Sequence, residues 1–350
     1  MKNIEVLLRE NIRNLKPYSS ARDEYSGKEG IFLDANENSF DSVPSGNLNR
    51  YPDPFQSDLK DELAKIHPVT AENIFIGNGS DEAIDLLLRA FCNPQKDCIM
   101  IMPPTYGMYQ VSADINDVAT QSVPLTPSFE IDTEAVLAAI TAETKIIFIC
   151  SPNNPTGNTL STDSITTILE AFNGIVVVDE AYVDFSPHES WLTKLSDYSN
   201  LVVLQTFSKA WGLAGMRCGM AFGHPYLIST LNKIKYPYNV NGVTQEVATQ
   251  AVKLIAQKKA LVEVILKEKI RLDAALTSLS FVEEIYPSDT NFLLLKVNNA
   301  TQIYDYLIGF SIIIRNRTTV LHCEDCLRIT VGTVEENDFL IQKLKQFEEL

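Results

Sequence analysis

The chain has 350 residues, 45% of them hydrophobic, and a formal net charge of −16. That length suits about two domains and buries enough surface to need no disulfide or metal staple. The negative balance argues against nucleic acid and anionic membranes as partners, and no apolar run reaches the roughly 18 residues of a membrane span.

The chain opens on MKNIEVLLRENIRNLKPYSS, which mixes charge with apolar residues at helical spacing. It lacks the apolar core of a signal peptide, so a cytoplasmic location is expected. Short apolar runs then recur, each ending in a polar turn: NIFIGNGS (73–80), CIMIMPPTYG (98–107), KIIFICSPNNPTG (145–157), GIVVVDEAY (174–182), LVVLQTFSK (201–209) and MRCGMAFG (216–223). Helical segments separate several of them. In SDEAIDLLLRAF, Ile84, Leu87, Leu88 and Phe91 fall at i, i+3, i+4 and i+7, one face of a helix. Continuous apolar strands alternating with helices predict an α/β fold whose mostly parallel sheet is covered on both faces.

After about residue 240 the pattern changes. A long helical region (244–279) with one break is followed by strand-like NFLLLKV, a helix around 301–309, SIIIRNR, alternating LRITVG and a terminal helix. This reads as a smaller α+β domain. The expected division is an N-terminal arm and part of the small domain (1–40), a large domain (41–243) and a small C-terminal domain (244–350). The arm is expected to pack on the small domain or on a partner subunit. Six cysteines are scattered at 92, 98, 150, 218, 323 and 326. The lone C-x-x-C in HCEDC has no second ligand cluster, so they read as ordinary thiols and no metal is expected.

Open parallel sheets bind ligands beyond the carboxyl ends of their strands. The polar residues that stand out all lie at such ends: Ser80 and Asp81, Tyr106, Asn154, Asp179 and Tyr182, Ser208 and Lys209. Asp179 follows GIVVV, where a buried carboxylate needs a cationic partner or serves a structural ion pair. Lys209 sits in TFSKAWGLAGMRCG among small residues, where lost solvation lowers an amine's pKa and makes it a nucleophile toward carbonyls. Pyridoxal phosphate needs such a lysine for its aldehyde, a carboxylate for its ring nitrogen and an anion cradle. Asn154 and Tyr182 could hydrogen-bond the ring oxygen. GNGSDEAIDLL offers a glycine turn and a helix start at about Ser80, and Thr206, Ser208 and Arg217 add hydroxyls and a full positive charge.

Taken in order, SPNNPTG, VVVDEAYVDF and TFSKAWGLAGMRCG resemble the fold-type I pyridoxal-phosphate aminotransferases. LDANENSF, RYPDP, GNGSDEAIDLL, PTYGMY and LRITVGTVEEN narrow the resemblance to the histidinol-phosphate aminotransferase family, over residues 18 to 337. The resemblance implies that Lys209 carries the cofactor, Asp179 pairs with the pyridinium nitrogen, and Asn154 and Tyr182 contact the ring oxygen. It also implies that Tyr106 stacks on the ring and that Ser80, Asp81, Thr206, Ser208 and Arg217 hold the phosphate. Tyr51 would reach the cofactor of a neighbouring subunit, which makes the expected assembly a homodimer with shared active sites. Arg315 and Arg328 match the family's anion-binding arginines. Arg317 competes with Arg315, and spacing to Arg328 favours Arg315. Tyr18 and Tyr236 match substrate-side tyrosines, with Tyr238 close enough to be confused with Tyr236.

The implied reaction transfers the amino group of L-histidinol phosphate to 2-oxoglutarate, giving imidazole acetol phosphate and glutamate, a step of histidine biosynthesis. Rival readings on the same scaffold are an aromatic amino-acid aminotransferase and a threonine-phosphate decarboxylase. A non-enzymatic regulator is disfavoured by the acidic balance. A nicotinamide dehydrogenase is disfavoured because no G-x-G-x-x-G follows the first strand.

Overall fold

The computed structural model describes residues 2–17, 31, 33–43, 46 and 48–349. The expected substrate-side Tyr18 lies outside the described residues. Helices α1 (Glu10–Arg13) and α2 (Ser57–Ile66) precede an alternating run. That run is β1 (Ile74–Asn78), α3 (Ser80–Phe91), β2 (Cys98–Ile101), α4 (Met108–Ile115), β3 (Ala119–Ser122), α5 (Thr133–Ala139), β4 (Thr144–Cys150), α6 (Thr162–Ala171), β5 (Ile175–Asp179), β6 (Leu201–Thr206) and β7 (Cys218–Gly223). The seven strands lie in the order β1-β7-β6-β5-β4-β2-β3.

The continuous apolar runs have a simple cause. Alternate residues of each central strand feed two separate cores. Ile147, Ile149, Val176, Val178 and Val203 belong to one cluster. Ile146, Phe148, Ile175, Val177, Val202 and Leu204 belong to the other. Both faces are therefore dry, as in parallel sheets covered by helices. The predicted face of α3 is buried throughout, with Ile84, Leu87, Leu88 and Phe91 all at 1% exposure or less. Each such side chain contributes about 1.5–3 kcal/mol on leaving water.

Strands β2, β3, β4, β5 and β6 pair in parallel, whereas β7 runs antiparallel to both β6 and β1. This reversal matters for the site. It brings the start of β7, and Arg217 just before it, to the edge where the other strands end. Strand β3, ATQS, was not anticipated, because an edge strand with one ladder partner needs little apolar content.

Helices α7 (Pro225–Ile234), α8 (Gly242–Lys253) and α9 (Ile255–Thr277) lead to β8 (Val282–Ile285), β9 (Phe292–Val297), α10 (Ala300–Ile308), β10 (Arg315–Asn316), β11 (Cys326–Thr330) and α11 (Val334–Glu348). The four strands form an antiparallel sheet in the order β10-β11-β9-β8. Leu293, Leu295, Leu327 and Ile329 on one face meet Leu272, Leu276 and Leu340 in a core of their own. The expected helix break falls at Leu254.

Two expectations need correction. The small domain does not begin at 244: Ala248 and Val252 of α8 pack in the large core, and α9 makes the transition. Helical periodicity shows that a face is apolar but not which sheet it meets. The described part of the N-terminal arm, residues 2–17, lies on the large body. Ile4 and Leu8 join its core. Arg9 donates to the Arg89 carbonyl (2.9 Å), and Lys233 donates to that of Ile12 (2.8 Å). Among the described residues no helix is long and apolar enough to cross a membrane.

Candidate active site

The ends of β1, β4, β5 and β6, the loop after β2 and the start of β7 converge on one cleft. Ser80, Asp81, Tyr106, Asn154, Asp179, Tyr182, Thr206, Ser208, Lys209 and Arg217 all line it, together with Gly79, Cys150 and Ala181. Strand direction explains this gathering, since residues remote in sequence meet wherever parallel strands terminate together.

Asp179 ends β5 and is only 3% exposed. The Tyr109 hydroxyl donates to its Oδ2 (2.8 Å) and the Ala181 N–H to its Oδ1 (3.1 Å). Burial pushes the carboxyl up to about 6, and those two donors and Lys209 pull against it. Such a group favours a cation brought within reach. Tyr109 is fully buried, stacked on Phe148 (4.7 Å between ring centres) and edge-on to Tyr106 (5.5 Å). Sequence reasoning missed Tyr109. The only signal was its place three residues after Tyr106 in PTYGMY, one turn along the start of α4.

Lys209 follows β6, with its Nζ 5.4 Å from the centre of the Tyr182 ring. Its tip stays open to the cleft. Desolvation of the side chain, aided by the like charges of Arg328 and Arg217, lowers its pKa, while Asp179 and Asp81 act in the opposite sense. The amine thus moves toward its neutral, nucleophilic form.

The far end of the cleft is shaped for an anion. Gly79 caps α3 at φ +74° without a side-chain cap, so the first N–H groups of the helix have no helical acceptor. Its own N–H donates to the Arg217 carbonyl (2.9 Å). A Cβ on Gly219 would stand 2.1 Å from the Ser80 nitrogen, so only glycine lets β7 lie this close to the loop. The Arg217 guanidinium lies 3.5 Å from the Asp81 carboxylate, which also accepts from the Tyr106 hydroxyl (3.1 Å). Thr206 Oγ1 accepts from the Ser208 N–H (3.1 Å), which pins the turn leading to Lys209.

The small sheet closes the other side. Arg328 donates through Nη1 to Asn154 Oδ1 and lies 5.1 Å over the Phe292 ring. Asn154 donates in turn to the Tyr182 hydroxyl (3.5 Å). Arg315 stands directly opposite Arg328 in the ladder, so both side chains share the face turned toward Tyr182.

Two expected residues lie elsewhere. Tyr51 is half-exposed and stacks on Tyr238 (4.5 Å) in a separate hollow bordered by Asn36, Glu37 and Asn241. Tyr236 is 76% exposed and lines neither hollow. Of the two tyrosines in KYPYNVN it is therefore Tyr238 that meets Tyr51. Tyr238 has φ +57°, a backbone state that spacing alone does not reveal.

Residues 24–344 match the model of the aminotransferase class I and II family. A histidinol-phosphate aminotransferase of Cytophaga hutchinsonii is 54% identical over 345 residues, covering 99% of each chain. Among solved structures, a histidinol-phosphate aminotransferase of Sinorhizobium meliloti in complex with pyridoxal-5'-phosphate superposes with a TM-score of 0.80 at 24% identity, covering 90% of each chain. An L-threonine-O-3-phosphate decarboxylase of Porphyromonas gingivalis gives 0.75 at 25% identity, covering 87% of this chain and 92% of that one. With a cleft of this design and near-complete coverage at such identity, the chain belongs to the aminotransferase class I and II family, and within it to the histidinol-phosphate aminotransferases.

Proposed function

We propose that the protein transfers the amino group of L-histidinol phosphate to 2-oxoglutarate, giving imidazole acetol phosphate and glutamate, with pyridoxal phosphate as its cofactor. The observation that carries this reading is the meeting of Lys209 and Asp179 in one cleft, with an anion cradle at one end and arginines across from them.

The residues present fit the cofactor. A buried carboxyl raised by desolvation, with no cation among the described residues bonded to it, suits a protonated ring nitrogen. The α3 N-terminus with Arg217, Thr206 and Ser208 suits a phosphate. Tyr106 would cover the ring, and Asn154 and Tyr182 would hold its oxygen. When bound, pyridoxal phosphate supplies an aldehyde that exchanges between amines and a ring that accepts the electron pair of a broken Cα–H bond.

The chain's own groups do the rest. Lys209 would hold the cofactor's aldehyde through Nζ, and its amine, when free, would be placed to take the donor's Cα proton. A positioned acid–base group of this kind contributes about 10²–10⁴-fold. Asp179 steadies positive charge at the cleft floor, and Tyr109 orients its Oδ2. Arg328 and Arg315 pair with the phosphate of the donor or with a carboxylate of the acceptor, since a guanidinium fork accepts either. They form a local positive patch in a chain of net charge −16.

We further propose a homodimer in which Tyr51 reaches the partner's site. Leu33, Phe40 and Val43, in the stretch that leads up to Tyr51, support it, because each of these large apolar side chains is 80% or more exposed. Light scattering giving the mass of one chain would remove that part of the reading.

The activity test follows glutamate formed from histidinol phosphate and 2-oxoglutarate by purified holoenzyme. Glutamate appearing in step with loss of the donor supports the proposal. Turnover of phenylalanine or tyrosine but not histidinol phosphate would move the assignment to the aromatic enzymes. Release of CO₂ from phosphothreonine without any 2-oxo acid would move it to the decarboxylases.

A further inference from the structure

Arg317 takes no part in the reading above, yet its surroundings are unusual. Its backbone N–H donates to the Cys326 carbonyl (2.8 Å), which extends the β10–β11 pairing by one residue. Side chains alternate along a strand, so Arg317 shares a face with Arg315, and Arg315 faces Arg328 across the ladder. This is the face that carries Phe292 and Leu294 toward the large body, since Leu327, Ile329, Leu293 and Leu295 fill the small core on the other.

Three guanidiniums are thus collected on one patch beside Tyr182, whose hydroxyl feels both Arg328 and Arg317. Arg317 is half-buried, and its Nε is buried with no hydrogen-bond partner, as is the Nε of Arg328. Among the described residues no carboxylate pairs with any of the three. Burial, Arg328 and Arg315 together press the Arg317 guanidinium down to about 10. Like charges crowded on one patch, with Arg317 and Arg328 half-buried and Arg315 open to solvent, are costly without a counter-charge and call for an anion.

The charge of that anion separates the two substrates. A carboxylate brings one negative charge. A phosphate monoester brings about 1.5 to 2 at neutral pH, with three strong acceptor oxygens. Arg315 and Arg328 are enough for the former, and a third guanidinium is useful chiefly for the latter.

We propose that Arg317 is a third anion-binding arm of this site and sets its preference for a phosphorylated donor over a plain carboxylate. The inference deepens the aminotransferase reading and rests on it. Arg317 acts together with Arg315, so the two are partners and not alternatives.

The test is calorimetric titration of holoenzyme with inorganic phosphate and, separately, with glutarate, for the wild type, Arg317→Gln and Arg317→Lys. Arg317→Gln is expected to weaken phosphate about tenfold and glutarate less than about twofold, with a matching rise in KM for histidinol phosphate. Arg317→Lys, which keeps the charge but loses the fork, should recover part of the phosphate affinity. Equal weakening of both anions, or no change in either, overturns the proposal. Should the wild type turn over no histidinol phosphate at all, the activity assignment fails, while the phosphate-to-glutarate ratio still decides the role of Arg317.

Discussion

The two walls of the cleft are built on opposite electrostatic terms. On the large-sheet wall the two carboxylates already have donors from within the chain: Asp81 pairs with Arg217 and accepts from Tyr106, and Asp179 accepts from Tyr109 and the Ala181 N–H. On the small-sheet wall Arg315, Arg317 and Arg328 share one face, and among the described residues the only side-chain hydrogen-bond acceptor they have is the neutral Asn154. A wall that holds one resident group can be pre-shaped around it. A wall that must accept two different anions in turn gains from standing positive charge that only the visitor neutralises.

If the walls divide the work in this way, substitutions on each should fail differently. The largest effect is expected on the large-sheet wall. Lys209→Ala should lower kcat by at least about 10²–10⁴-fold through loss of the positioned amine, with Tm little changed because the tip of Lys209 is open to the cleft. Retained turnover under steady-state assay would place the acid–base group elsewhere.

Arg328→Ala should cut kcat/KM for 2-oxoglutarate by about 10–10²-fold, the worth of a charged hydrogen bond of about 1.5–3 kcal/mol. Its absorbance spectrum should keep the bound cofactor. A loss of cofactor with unchanged kcat/KM would show the two walls to be less separate than described.

The smallest effect concerns stability. The Asp179 carboxyl is raised in the folded chain to about 6, from the usual range near 4. The cofactor-free folded state therefore holds a proton that the unfolded chain releases first, and stability falls as pH rises through that window. Asp179→Asn removes this titration while keeping an acceptor for Tyr109. Cofactor-free Asp179→Asn should unfold at a higher temperature than wild type at pH 8, by about 1–3 kcal/mol in stability, with the advantage vanishing near pH 4. A constant difference across that range would mean that Asp179 is ionised in the empty fold.

Most of the large-sheet wall was legible in the sequence. Runs such as GIVVVD and LVVLQTFSK state both the buried strand and the polar residue at its end, and parallel strands bring those ends together. Tyr109 was not legible, because a tyrosine buried on α4 reads like any core aromatic until its hydroxyl is seen on Asp179. The reversal of β7 was equally hidden, although it is what delivers Arg217 to the cleft. The small-sheet wall was harder to read. Arg315 and Arg317 are two residues apart, so alternation gives both the same face; spacing to Arg328 favoured Arg315 but gave no sign that Arg317 shares its patch. Tyr236 and Tyr238 are also two apart, and their difference rests on the left-handed backbone of Tyr238 and its stacking on Tyr51.

The central claim is that Lys209 and Asp179 serve one pyridoxal phosphate in a single cleft. Borohydride reduction of the holoenzyme followed by peptide mass mapping addresses it most directly. The account predicts the cofactor's mass on the peptide carrying Lys209 and a weaker yield in Asp179→Ala, whereas a label on any other lysine, or none on wild type, would contradict it.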